Sequence, residues 1–116
     1  MPYLQPPYAR AIRDLSKTVE GRPCQGWAAR VQADDYIVFK ITGSHGATLA
    51  CRVRSVRRFD SFAAMLEACG VAACLPGTSS VEDGVALYRS FGTTTGSYAD
   101  LEVSCGVVGV SVEPLG

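Results

Sequence analysis

Lys17-Thr18-Val19-Glu20-Gly21-Arg22 carries three charged side chains within six residues, between a helix-like segment and a loop containing Pro and Gly. Thr18 and Val19 favour an extended backbone. If a strand begins at Thr18, Glu20 and Arg22 project from one face, because side chains alternate with period two. Strict alternation sends Lys17 the other way, so a turn is needed to bring it round. A cation, a carboxylate and a guanidinium that converge make a polar site for an anionic or amide-rich ligand. On spacing alone the more ordinary reading is a solvated strand with a surface ion pair of small energetic weight.

The length of 116 residues predicts one domain, residues 1–116, able to bury a core without disulfides or metal. The hydrophobic fraction of 47% against 19% charged residues makes the chain globular. A net charge of zero gives no global case for nucleic acid, so any such case rests on local clustering. Cys24, Cys51, Cys69, Cys74 and Cys105 are odd in number and lack C-x-x-C spacing. They read as small core residues of a reducing compartment, not as a zinc site or a disulfide framework. No metal and no cofactor are expected. The start Met1-Pro2-Tyr3-Leu4-Gln5-Pro6-Pro7 shows no signal peptide, which makes cytoplasm or nucleus the default. No apolar run is long enough to span a membrane.

Upstream of the charged stretch, Tyr3-Leu4-Gln5 reads as a short strand. Pro6 and Pro7 suit a first helical turn, where a missing N–H costs nothing. A helix is predicted over 6–15, with Ala9, Ile12 and Leu15 on its buried face. Downstream, residues 23–27 read as a loop in which Trp27 covers the core or lines a pocket. The nearly continuous apolar run in 35–41 predicts a strand covered on both faces. Gly43-Ser44-His45-Gly46 has hairpin chemistry, which makes His45 a turn residue and not a base. The return strand, 48–59, slips in its alternation near Ser55-Val56, as at a bulge. It carries Arg52, Arg54, Arg57 and Arg58, which make either a basic patch for phosphate or a solvated face neutralised by nearby acids.

Asp60 or Ser61 caps a helix to Cys69, with Phe62, Met65, Leu66 and Cys69 as its stripe and Gly70 as its end. Ser79-Ser80-Val81-Glu82 reads as a capping box opening a helix over 81–91, with Val81, Val85 and Tyr88 inward. Residues 92–99 read as a mobile loop. The final strand is predicted over 103–112, with Val107, Val108, Val110 and Val112 in the core. A small sheet with long, bent hairpins tends to close on itself. The fold class is therefore α+β, a small mixed β-barrel with flanking helices.

Gln5-Pro6-Pro7-Tyr8-Ala9 followed by the Lys17 to Arg22 stretch resembles the start of the ASCH (activating signal cointegrator homology) domain, with its G-x-K-x-x-E-x-R signature. Phe59-Asp60-Ser61-Phe62-Ala63-Ala64-Met65-Leu66 is similar to that family's aromatic-x-S-F-x-x-M-L helix. Leu75-Pro76-Gly77, residues 80–85 and Tyr88-Arg89 are similar to its next helix, and Cys105-Gly106-Val107-Val108 to its closing strand. Leu15 stands where the signature has glycine. That implies a less tight turn into the strand and a helix end without its usual cap. The resemblance implies a PUA-like fold with a cleft beside the signature, and a role in RNA binding or transcription coactivation. It also implies, from particular branches, hydrolysis of an acetylated cytidine or ribonuclease activity.

The first functional reading is a binding module for RNA or a modified nucleotide. Lys17 and Arg22 would meet phosphate or base acceptors, and Glu20 would accept from an amino group or orient Arg22. Gln5 borders this site, and Tyr8, Trp27 or Tyr88 would stack on a base. For each aromatic taken singly, core packing is the more ordinary explanation. The second reading is a small hydrolase, with Lys17 activating a nucleophile and Glu20 or Glu82 carrying the proton. In the acetylcytidine-hydrolysing branch the nucleophile's hydroxyl falls at the position of Glu20, a poor replacement. The third is a domain that binds a protein partner and has no ligand chemistry.

Overall fold

The computed structural model describes residues 2–116. In chain order the elements are β1 (Tyr3–Leu4), α1 (Pro6–Arg13), β2 (Val19–Pro23), α2 (Trp27–Arg30), β3 (Tyr36–Ile41), β4 (Thr48–Phe59) and α3 (Phe62–Cys69). There follow α4 (Val71–Cys74), α5 (Val81–Arg89), β5 (Gly92–Thr93), β6 (Gly96–Ser97), α6 (Tyr98–Cys105) and β7 (Val107–Pro114). Five strands form one sheet in the order β1-β3-β4-β7-β2, and β5 pairs with β6 apart from it. β1 runs parallel to β3, while the other contacts of the main sheet are antiparallel.

The main sheet curls without closing. β1 and β2 are its edges, yet Arg22 on β2 donates from Nη2 to the carbonyl of Tyr3 on β1 at 2.6 Å. The long strand β4 makes this curl possible, pairing with β3 through its first half and with β7 along most of its length. Its register with β7 shifts between Val53 and Ser55. A bulge of this kind bends the strand and raises its twist.

Two apolar clusters lie on opposite faces of β7. Val108, Val110 and Val112 join Ile12, Phe39, Cys51 and Val53 under α1 and α2. Val107 joins Phe62, Met65, Leu66, Leu75, Tyr88 and Tyr98 under the later helices. The strand covered on both faces is therefore β7, with Val107 and Val108 both fully buried. It is not β3, which alternates between exposed Tyr36 and Val38 and buried Ile37 and Phe39. An apolar run does not distinguish burial on two faces from one buried face whose outward side chains are also apolar.

Other sequence expectations shift in the same region. Residues 103–105 close α6 and do not begin the last strand, and Val103 is 89% exposed. Ser97 caps α6 by accepting from the Asp100 N–H. The stretch 92–99 is a small hairpin leading into that helix. Trp27 opens the short helix α2 where a loop was expected. Helix α5 ends at Arg89, and its cap is Ser80 accepting from the Asp83 N–H, one residue later than the predicted box. No helix among the described residues is long and apolar enough to cross a membrane.

Candidate functional site

The approach to β2 is set at Leu15. Its φ of 69° is left-handed, the conformation in which a glycine commonly ends a helix. The tight turn is thus kept with a leucine in place, and Leu15 faces solvent instead of the core. Local bonds support it. The Leu15 N–H donates to the Ile12 carbonyl at 3.2 Å, the Lys17 N–H to the Ala11 carbonyl at 3.0 Å, and the Ser16 N–H to Asp14 Oδ1 at 2.9 Å.

This turn brings Lys17 round to the side of Glu20 and Arg22. Lys17 is only 2% exposed. Its ammonium donates to the carbonyl of Val19 at 2.6 Å and to that of Cys74 at the end of α4, and it lies 3.2 Å from Glu20 Oε1. An ammonium has three N–H groups, and these three acceptors occupy all of them. The Tyr8 ring lies 5.4 Å from the same nitrogen.

Glu20 Oε2 accepts from Arg22 Nε at 2.7 Å and lies at the same distance from Nη2. Burial opposes the charge on Glu20. Arg22 and Lys17 outweigh it and hold the carboxyl below its ordinary range. Removing one partner of such a buried pair typically costs about 3–5 kcal/mol, so the arrangement is rigid as well as polar. The Arg22 guanidinium lies 5.5 Å from the Trp27 ring and is also engaged by the Tyr98 hydroxyl.

A cleft of about 970 Å³ opens above these groups. It lies between the two edges of the sheet, where Arg22 reaches across to β1. Gln5, Tyr8, Lys17, Glu20, Arg22, Trp27 and Tyr88 all border it. The sequence reading omitted Tyr98, Phe91 and the Thr93-Thr94 turn, which also border it. Tyr98 is the first residue of α6, and the Ser97…Asp100 cap spacing is the signal that locates it. Burial raises the phenol pKa of Tyr8, Tyr88 and Tyr98, and Glu20 adds to the effect at each. All three stay protonated donors at neutral pH.

The remaining candidates lie elsewhere. Glu82 is exposed in the first turn of α5 and does not border the cleft. Arg52 and Arg54 both pair with Glu113 of β7, and Arg52 also with Asp34. Arg57 lies over the Phe59 ring at 5.1 Å, and Arg58 donates to the Ala29 carbonyl at 2.9 Å. The four arginines are therefore each engaged locally, two of them sharing Glu113, and none borders the cleft. Burial pushes Cys51 to about 11 and Cys74 to about 12, so both remain thiols packed in the core. Among the described residues no cluster of three or more His, Cys, Asp or Glu side chains is placed to hold a metal ion.

A curled five-stranded half-barrel with flanking helices is a PUA-like α+β fold. A sequence profile of the ASCH domain matches residues 3–108, and the chain belongs to the ASCH domain family. Among solved structures, the chain is similar to the crystal structure of hypothetical protein PH0355, with 32% identity and a TM-score of 0.81. That match covers 97% of this chain and 94% of the other. It is also similar to the solution structure of protein PF0455 from Pyrococcus furiosus, with 31% identity and a TM-score of 0.72, covering 99% and 98%. No curated protein matches.

Proposed function

We propose that this ASCH domain binds RNA or a modified nucleotide, with one nucleotide unit held in the cleft above Lys17, Glu20 and Arg22. The observation that carries the reading is the buried triad itself. Two cations and one carboxylate leave a single excess positive charge at the floor of a cleft with aromatic borders. Such a floor favours an anionic or acceptor-rich ligand, and the Trp27, Tyr8 and Phe91 rings suit a base. Lys17 acts in this reading by fixing Glu20, since its own N–H groups are occupied. Arg22 touches the ligand. Turnover would require a free base or nucleophile, whereas both Glu20 oxygens already accept from cations. The geometry therefore favours binding over hydrolysis.

The test is a titration of fluorescent single-stranded RNA at two salt concentrations, with wild type and Arg22→Ala. A bond to a charged group is worth about 1.5–3 kcal/mol, so the variant should bind about tenfold more weakly or worse. No binding at low salt, or equal binding by Arg22→Ala, would overturn the proposal.

A further inference from the structure

Tyr88 Oη is the only buried side-chain nitrogen or oxygen among the described residues without a hydrogen-bond partner. The residue is 3% exposed and borders the cleft. Its ring is firmly seated, stacked on Phe62 with centroids 4.5 Å apart and planes at 9°, and set edge-on to Phe91 at 6.2 Å. The hydroxyl reaches β2 at Gly21, where an added Cβ would lie 2.6 Å from it. A glycine at that point lets the phenol oxygen meet the strand on the face opposite the Glu20 and Arg22 side chains.

A buried hydroxyl without a partner is destabilising. Phenylalanine would keep the same stacking without that cost, so packing does not explain the oxygen. Packing also takes up one face of the ring, which leaves the hydroxyl as the group suited to a ligand. Arg22 borders the same cleft, its guanidinium engaged by Glu20, by the Tyr3 carbonyl and by the Tyr98 hydroxyl. The charged side chains bordering the cleft are Lys17, Glu20 and Arg22, whose sum is one positive charge. The inner end thus offers a donor and positive charge, while its one carboxylate is already engaged by two cations.

We infer that Tyr88 Oη donates to an oxygen acceptor of the ligand, either a base carbonyl or a phosphate oxygen, and that the excess positive charge of the cleft floor disfavours an amino group at that point. The inference rests on the nucleotide reading above and makes Tyr88 a specificity-determining donor, not a stacking platform. No bond is made or broken.

Calorimetric titration of uridine, cytidine and their 5′-monophosphates into wild type and Tyr88→Phe tests this, together with thermal melts of both proteins. Tyr88→Phe should melt at or above wild type, yet bind its preferred probe about three- to tenfold more weakly, the worth of one neutral hydrogen bond. Uridine preferred over cytidine in both forms identifies a base carbonyl as the acceptor. Monophosphates preferred over nucleosides, whatever the base, identify a phosphate oxygen. A preference for cytidine, equal affinity for all four probes, or unchanged affinity in Tyr88→Phe overturns the inference. So does a lower melting temperature for Tyr88→Phe, because the hydroxyl would then have a partner within the fold. Binding that ignores the substitution overturns this inference alone. If wild type binds none of the four, the nucleotide reading falls with it.

Discussion

Lys17 is a charged side chain buried as deeply as an aliphatic one, and Glu20 makes that burial tolerable. The carboxylate lies between Lys17 and Arg22, and the ammonium also meets two backbone carbonyls. That convergence was only half legible in the sequence. Period-two alternation correctly pairs Glu20 with Arg22, but it cannot foresee the left-handed residue that turns Lys17 inward. The pH dependence of the fold should report this network. Glu20 has its folded pKa below the ordinary 4.5, so its contribution is fully present above the unfolded value. It is lost as pH falls through the folded value. Glu20→Gln should be less stable by about 3 kcal/mol at neutral pH, with a shallower decline in acid. The exposed carboxyls of Asp14 and Glu113 are also held low, but they titrate alike in both proteins. Urea midpoints at pH 7, 5 and 3 check this, and parallel acid limbs for the two proteins would contradict it.

At the scale of elements, the strongest sequence signals were those with a local cause. Pro6-Pro7 opens α1, Ser61 and Gly70 bracket α3, and the hairpin glycines separate β3 from β4. Helix α6 was hidden because it has no apolar stripe. Its buried residues are Tyr98 and Glu102, and the Glu102 carboxylate accepts from the Phe62 N–H at 2.8 Å and from Arg89 at 2.8 Å. Hydrophobic periodicity cannot detect a helix anchored by a carboxylate. The end of α1 raises the opposite problem, a residue at odds with its own backbone. A left-handed conformation costs an L-residue about 1–2 kcal/mol, and glycine gives back about 0.5–1 kcal/mol through its freer unfolded chain. Leu15 is 64% exposed, so little packing is lost on removing it. Leu15→Gly should therefore stabilise the protein by about 0.5–1 kcal/mol. Leu15→Ala, which keeps the Cβ, should bring no gain. Denaturation curves of the two variants decide this, and a destabilised glycine variant would show that the turn is not strained.

On the scale of the whole molecule, the chain has two cores that share one strand and a polar cleft at the open side of the curled sheet. The α+β class, the curl and the family were legible because they rest on an ordered set of motifs along the chain. The cleft's composition was less so, because Tyr98 and Phe91 reach it through a helix signalled only by its cap spacing and a short hairpin without hydrophobic periodicity. With zero net charge and its strand arginines distributed among acids, a carbonyl and a ring, β4 presents among the described residues no basic face free of partners to drive non-specific binding. Recognition would have to be local, at the cleft. Backbone amide chemical shifts recorded during titration with a short single-stranded RNA test this most directly. The account predicts shifts concentrated at Gly21, Arg22, Trp27 and Thr93, with Arg54 and Arg57 little moved. Shifts centred on the outer face of β4, or none at saturating RNA, would contradict it.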